Sequence, residues 1–465
     1  MSHHVQVTRI DGITPRDAFS RLAGRPGVFW LDSSLRRVHD ARFSVMGCMP
    51  QWTFSARDGA YTLIHRDGRV EAGVADALGR LDSLLDRGAI RPAEGHPDLP
   101  FFGGAVGWLS YDLGRQFEHL GGATEDVGQP PDIRLAWYDA ALVWDHLNDA
   151  VWSIGIDAVR SAEAARSELV GWLKDEPLNL QQPVPRACRA RSNLSRDDYL
   201  ERVRTIREAI SRGEYYQLNL VQRFSCPHDE SPAATYLRLR EINPAPFSAF
   251  LDAGETTVLC TSPERFLEVT PGRVIRTCPI KGTRSRGATG EEDRTRRVEL
   301  LASDKERAEL LMIVDLLRND LGRVCVPGTV EVHRLHALES FATVHHLVGE
   351  VRGTMRSDVS RRELLRAVFP GGSITGAPKV SAMRAIERLE PDRRGIGMGS
   401  IGYFSAHGRI DLNIAIRTVI CRAGTADIPV GAGIVWDSEP AAEYEETLAK
   451  ARALFSALGV DSVEP

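Results

Sequence analysis

"IRLAWYDAALVWDHLNDAVWSIG", residues 133–155, sets aromatic and β-branched residues on either side of the polar, turn-forming "HLND". That is the signature of antiparallel strands joined by a tight turn. Upstream, "FFGGAVGWLSYD" (101–112) is another glycine-punctuated strand candidate. Helical periodicity occurs in "GVADALGRLDSLLDRG" (73–88) and "RSELVGWLKDE" (166–176), but helices do not alternate one-for-one with strands. A doubly wound parallel sheet is therefore disfavoured, and the pattern predicts an α+β fold with large antiparallel sheets.

The run "DEPLNLQQPVPRACRARSNLS" is rich in Pro, Gln and Asn and keeps no period, so it reads as the main linker, 175–195. It separates an amino-terminal region, 1–174, from a second region, 196–460. The second region opens with an amphipathic helix ("RDDYLERVRTIREAISRG"), a strand ("YYQLNLVQRF") and another helix, followed by three strand-like runs ending at Lys281. Further helices begin near Ser303 and Ser438, and no internal repeat is visible. A chain of 465 residues can form two to three units or one interlocked pair.

At 43% hydrophobic and 26% charged, the composition is that of an ordinary globular protein. No apolar run reaches the ~18 residues of a spanning helix. The opening "MSHHVQVTRIDG" lacks a signal-peptide layout, so a cytoplasmic protein without membrane association is expected. A net charge of -5, with the basic run "EEDRTRRVE" interleaved by acids, argues against nucleic acid. Seven cysteines without a C-x-x-C pair predict reduced, buried thiols.

Two nucleotide motifs fail on inspection. In "PGGSITGAPKVSA", Gly371 and Gly376 have phosphate-loop spacing, but Ala377 and Pro378 stand where Lys and Ser/Thr are required. In "GAGIVW", Gly431 and Gly433 are followed by Trp436, too bulky for the close approach of a dinucleotide loop.

Acids recur at matched spacing. In "ASDKERAELLMIVDLLRND", Leu311, Val314, Leu317 and Leu321 predict one buried stripe, with Glu306 and Glu309 on an edge of the first two turns. A capping box from Ser303 to Glu306 also accounts for the first of these acids. The last helix repeats the pattern with Glu443 and Glu446, where Ser438 can cap and Glu446 can pair with Lys450. If the two helices converge, four carboxylates form a nest that requires a cation, and magnesium (Mg2+) suits oxygen ligands with room for substrate. Arg417, the donors of "GGSITGAPK" and the Gly431–Gly433 backbone would complement an acidic substrate.

Together "SPERFL", "PIKGTRSRG", "ERAELLMIVDLLRNDLGRV", "FPGGSITGAPK", "IGYF", "AIRT" and "GAGIVWDSEPAAEYEETLAKARA" resemble, in order and spacing, the chorismate-utilising enzymes. These include anthranilate, aminodeoxychorismate, isochorismate and salicylate synthases. The resemblance is dense from about residue 190 to 455, and "FFGGAVGWLSYD" is similar to the amino-terminal region of the amine-forming members. It implies two interlocked α/β subdomains in an anthranilate synthase component I-like fold.

The resemblance also implies roles. Isochorismate-type members carry a water-activating lysine where this chain has Gln217; a neutral amide cannot be that base, so ammonia is the expected nucleophile. Anthranilate synthases carry Ala at the position of Lys281, whereas aminodeoxychorismate synthases read "PIKGT". Lys281 is thus expected to attack C2 of chorismate while the C4 hydroxyl leaves, before ammonia enters at C4. Glu264 is expected as general acid and His346 as the active-site histidine, although the neighbouring His345 could be the one that faces the pocket. Glu309 and Glu446 are expected to bind Mg2+ directly, and Glu306 and Glu443 directly or through water. Arg417, Tyr403, Thr375, Gly433, Gln217 and Asn219 are expected against chorismate. No glutaminase signature is present, so ammonia is expected from a separate glutamine amidotransferase subunit. The expected reaction is aminodeoxychorismate synthesis toward 4-aminobenzoate and folate, with anthranilate synthesis as the alternative. The family's amino-terminal Leu-Leu-Glu-Ser tryptophan motif is replaced by "WLDSS" (30–34).

Overall fold

The structure, a computed structural model, describes residues 4–35, 41–74, 76–93, 95–122, 124–180, 184–340 and 344–464. The 133–155 stretch forms strands Ile133–Tyr138, Ala140–Asp145 and Ala150–Ile156. The last two pair antiparallel across the turn, from Asp145 opposite Ala150 to Ala140 opposite Gly155. The first strand belongs to a different sheet. At Asp139 the chain crosses between sheets, and that corner is tied by Arg160, whose Nε lies 2.8 Å from the Asp139 carboxylate.

Among the described residues there are two large sheets, of 13 and 12 strands. Neighbouring strands are antiparallel except Cys188–Ser192 beside Val460–Glu464, the pairing that brings part of the 175–195 run into the first sheet. Residues 181–183 of that run lie outside the described residues. Each sheet is assembled from both ends of the chain. Phe29–Asp32 pairs with Phe247–Asp252 in the first, and Gly104–Leu109 pairs with Ser400–Ser405 in the second. Two interlocked α+β halves are the result. The seam is aromatic: Phe101 packs edge-on against Phe29 at 6.2 Å and against Tyr403 at 5.4 Å. Burying each such ring contributes ~1.5–3 kcal/mol.

The helix read from Ser303 spans Asp304–Gly322. Its buried stripe runs through Leu310, Ile313, Val314, Leu317 and Leu321, whereas Leu311 is half exposed, one 100° step around the helix from Leu310. Ser303 accepts from the Glu306 backbone N–H at 3.4 Å, but the Glu306 carboxylate turns to Arg284 at 3.2 Å, so half of the expected capping box forms. The last helix, Pro440–Leu458, begins after Glu439 rather than at a Ser438 cap. Ser438 instead accepts from the Val435 N–H at 3.0 Å and bonds the Glu443 carboxyl. None of the seven cysteines is in a disulfide, and six are buried. Among the described residues no helix is long and apolar enough to cross a membrane.

Candidate active site

Lys281 stands on the strand Ile280–Ser285, paired with Val344–Thr354. The register slips between Lys281 and Thr283, and Gly282 absorbs the slip with φ +75°. A Cβ at Gly282 would come within 2.9 Å of Leu300 and 3.0 Å of Glu306, so glycine is required there. The strand opens onto a cavity of about 680 Å³.

This cavity gathers Lys281, Glu264, His346, Arg417, Gly433 and Asn219 with all four helix glutamates, Glu306, Glu309, Glu443 and Glu446. Lys281 Nζ lies 3.8 Å from Glu309. Across from it, Gly433 allows close approach. A Cβ there would sit 2.5 Å from Gln217 Nε2 and 3.2 Å from Lys281 Nζ, which puts the Gln217 amide beside the lysine. Gln217 Oε1 and Asn219 Nδ2 are buried without a hydrogen-bond partner among the described residues. Buried polar atoms left unpaired are costly and mark a place for a polar ligand.

Glu264 is buried, and desolvation raises its carboxyl pKa to about 7, while bonds from Ser373 and the Ile280 N–H and the nearby Lys281 charge oppose the rise. The arginines that could have neutralised it are engaged elsewhere: Arg265 pairs with Asp411 at 3.0 Å and Arg284 with Glu306. Burial drives the His346 imidazole down to about 4, so it is neutral at pH 7. Its Nδ1 lies 2.9 Å from the Thr283 hydroxyl and 3.4 Å from the Gly282 carbonyl. His345 points away from the cavity, 2.9 Å from Asp293 and 2.8 Å from Ser340, so His346 is the inward imidazole. Arg417 is half-buried and, by desolvation, lowered to about 10; one of its nitrogens donates to the Lys450 carbonyl at 2.5 Å.

Burial and mutual repulsion raise Glu309 and Glu443, while Glu446 is lowered by the Lys450 ammonium 2.6 Å away. Such a wall of hard oxygen donors has the chemistry magnesium favours. As the side chains stand among the described residues, no three acids converge on a single point.

Residues 38–456 match the model of the chorismate binding enzyme family. The chain belongs to that family. It is 40% identical over 440 residues to aminodeoxychorismate synthase component 1 of Klebsiella aerogenes, covering 95% of each protein. It is 39% identical over 454 residues to anthranilate synthase component 1 of Thermus thermophilus, covering 96% of this chain and 95% of that one. In three dimensions it resembles anthranilate synthase component I from Streptococcus pneumoniae with TM-score 0.79 and 32% identity, covering 95% of this chain and 97% of that one.

Two residues expected at the chorismate pocket are placed away from it, and Gln217 is not part of the cavity lining although its amide abuts Gly433. Tyr403 lies in a separate cavity of about 620 Å³, which is also lined by Leu31, Asp32 and Ser33 of "WLDSS". Thr375 is buried with its hydroxyl donating to the carbonyls of Gly371 and Gly372 at 3.0 and 3.3 Å, and the short 3-10 turn Gly372–Ile374 presents Ser373 to the cavity instead. Lys379 of "GAPK" bonds Asp320 at 2.6 Å and the Val368 carbonyl at 2.8 Å, in keeping with the rejected phosphate-loop reading.

The sequence reading missed Ser373, Lys305 and Lys450 as cavity residues. Lys450 is half-buried, and its Nζ donates to Glu446 at 2.6 Å and to the Gly431 carbonyl at 2.9 Å. Its signal was its place one turn after Glu446, on the same helical face.

Proposed function

We propose that this chain is component I of an aminodeoxychorismate synthase, converting chorismate and ammonia to 4-amino-4-deoxychorismate and water. The supporting observation is the Lys281 amine inside the glutamate-walled cavity, beside the Gln217 amide and facing Glu309. Anthranilate synthases are nearly as similar along the whole chain, so this lysine, and not overall identity, carries the distinction.

In the proposed reaction the unprotonated Lys281 amine bonds to C2 of chorismate as the ring double bonds shift and the C4–O bond breaks. The departing hydroxyl takes a proton and leaves as water. Glu264, raised to about 7, holds that proton at neutral pH. Ammonia then bonds to C4 while the C2–nitrogen bond breaks, which returns the Lys281 amine. The proton shed by the new amine restores Glu264. His346 is neutral and adds no charge beside the ring. Arg417 and the Gly433 backbone suit the substrate carboxylates.

Glu309 and Glu446 would hold Mg2+ directly, and Glu306 and Glu443 directly or through water. The metal, when bound, supplies positive charge that lets a substrate carboxylate rest against the acidic wall. Ammonia would come from a separate glutamine amidotransferase subunit in the cytoplasm, and the product would feed 4-aminobenzoate and folate synthesis.

The test is incubation with chorismate, Mg2+ and ammonium, followed by the lyase that releases 4-aminobenzoate. The expected product is 4-aminobenzoate; anthranilate as the main product overturns the assignment. Without ammonia, mass spectrometry is expected to find a chorismate-derived adduct on the peptide that contains Lys281.

A further inference from the structure

A buried ion pair lies behind the cavity wall. Arg394 and Glu390 have side chains only 2% and 3% exposed, and they meet at 2.6 and 2.8 Å through two guanidinium nitrogens. The guanidinium also stacks 4.3 Å over the Tyr111 ring. Its remaining donors reach two backbone carbonyls: Nη2 to Asn219 at 2.7 Å and Nη1 to Ile374 at 2.7 Å. Both of those residues line the catalytic cavity, on separate elements. Asn219 is on the strand with the Gln217 amide, and Ile374 follows Ser373, which bonds Glu264. Glu390 completes the brace by accepting from the Val221 N–H at 2.9 Å on the same strand.

Stability alone is a poor reason for such an arrangement. Removing two charges from water costs several kcal/mol for each ion, and well-packed apolar residues of similar volume are often as stable or more so. The guanidinium offers a planar fork that can hold a carboxylate and two carbonyls at once, which a single ammonium cannot do in the same geometry. We propose that the Arg394–Glu390 pair is a positioning device for the amination step. It sets the separation between the strand carrying Gln217 and Asn219 and the turn carrying Ser373, so that nucleophile-side and acid-side groups meet the ring together. Arg394 touches no reacting atom. Its effect falls on the geometry of the reaction and hardly on substrate capture, for which Arg417 and the glutamate wall are placed elsewhere on the cavity. The inference rests on the chorismate-amination reading above.

The full-length variants Arg394→Lys and Glu390→Gln test it. The lysine keeps the charge beside Glu390 but cannot hold both carbonyls; the glutamine keeps an oxygen for Val221 but loosens the fork. Melting temperature and kcat with ammonium are measured for each, and the chorismate dissociation constant is measured by calorimetry with Mg2+ in a Lys281→Ala background, where the lysine adduct cannot form. Expected is a kcat lower by on the order of 10- to 100-fold, the cost of a small misplacement, with the dissociation constant within about threefold. The kcat loss should not scale with the fall in melting temperature across the two variants. Unchanged kcat in a folded variant, or kcat and affinity lost together in step with melting temperature, overturns the proposal. So does failure of both variants to fold, which would assign the pair to stability. A wild type that makes anthranilate defeats only the amination reading, and the same split is then scored on that product; a wild type that turns over no chorismate defeats both.

Discussion

The two large cavities are nearly equal in size, about 680 and about 620 Å³, and both are lined with charged side chains. Their wiring differs. In the smaller one the charges close on one another: Arg265 grips Asp411 through two nitrogens at 3.0 and 3.1 Å, and Glu268 takes Arg276 and Arg409 at 2.8 Å each. In the larger one Lys281 is a loose 3.8 Å from Glu309, and among the described residues Glu264 has no arginine partner and two buried amides have unpaired atoms. Volume and charge alone therefore do not mark the reactive place. Among the described residues the smaller one also has an unpaired buried atom, Arg409 Nε, but on a guanidinium already paired with Glu268; what is particular to the larger one is unpaired neutral amides beside an acid raised by burial, groups a substrate can use.

The strongest way to break this comparison is to remove its most distinctive group. Lys281→Ala should lower aminodeoxychorismate formation by on the order of a thousandfold or more if the amine bonds to carbon. The variant should keep its fold and its Mg2+-dependent chorismate binding, checked by calorimetry. Activity within tenfold of wild type would return the chain to anthranilate-type chemistry. Glu264→Gln comes next, with an expected ~100- to 10,000-fold loss in kcat. Because the acid works protonated and is raised to about 7 in the free protein, wild-type kcat/KM should decline above about pH 7, and the residual activity of the variant should lack that limb. Stability should move the other way. The folded state binds this proton more tightly than the unfolded chain does, so stability is fullest below 4.5 and falls as pH rises to about 7. Above that a penalty of about 3 kcal/mol persists, which the glutamine lacks, so the inactive variant should melt higher than wild type at pH 8.

The same comparison explains what could be read from the residues. Hairpin patterning gave the antiparallel architecture, and acids three apart at two helix starts pointed to the glutamate wall. The interlock of the two halves came only from the family resemblance and the sheet crossing at Asp139 was not legible, since local patterning does not show pairings such as Phe29–Asp32 with Phe247–Asp252, more than 200 residues apart. Lys450 read as an ordinary ion pair with Glu446 because an i,i+4 partner looks the same whether or not its ammonium also lines a cavity. Tyr403 misled for a related reason. Every residue of Ser400–Ser405 is buried, so strand alternation distinguished no inward face. His345 and His346 posed the same ambiguity, and only the Asp293 and Ser340 contacts resolve it.

Thr375→Val sharpens the boundary of the site at smaller amplitude. Its hydroxyl holds the 371–375 turn through two carbonyls, so the change should cost about 1–2 kcal/mol of stability, measured by denaturant unfolding. The chorismate KM should change little, because the hydroxyl is directed into the turn and Ser373 is the residue that lines the cavity.

Tyr403→Phe should have the smallest effect of all. The ring fills the aromatic seam against Phe101, and phenylalanine preserves that packing. The hydroxyl it removes belongs to the cavity in which Arg265 pairs with Asp411 and Arg409 with Glu268. Changes at independent sites with no shared partner add without coupling, so kcat and the chorismate KM should each remain within about twofold of wild type. A tenfold rise in KM with an unaltered melting temperature would mean that the two cavities communicate through the Phe101 seam, and the contrast between a self-neutralised cavity and a reactive one would no longer separate structure from chemistry.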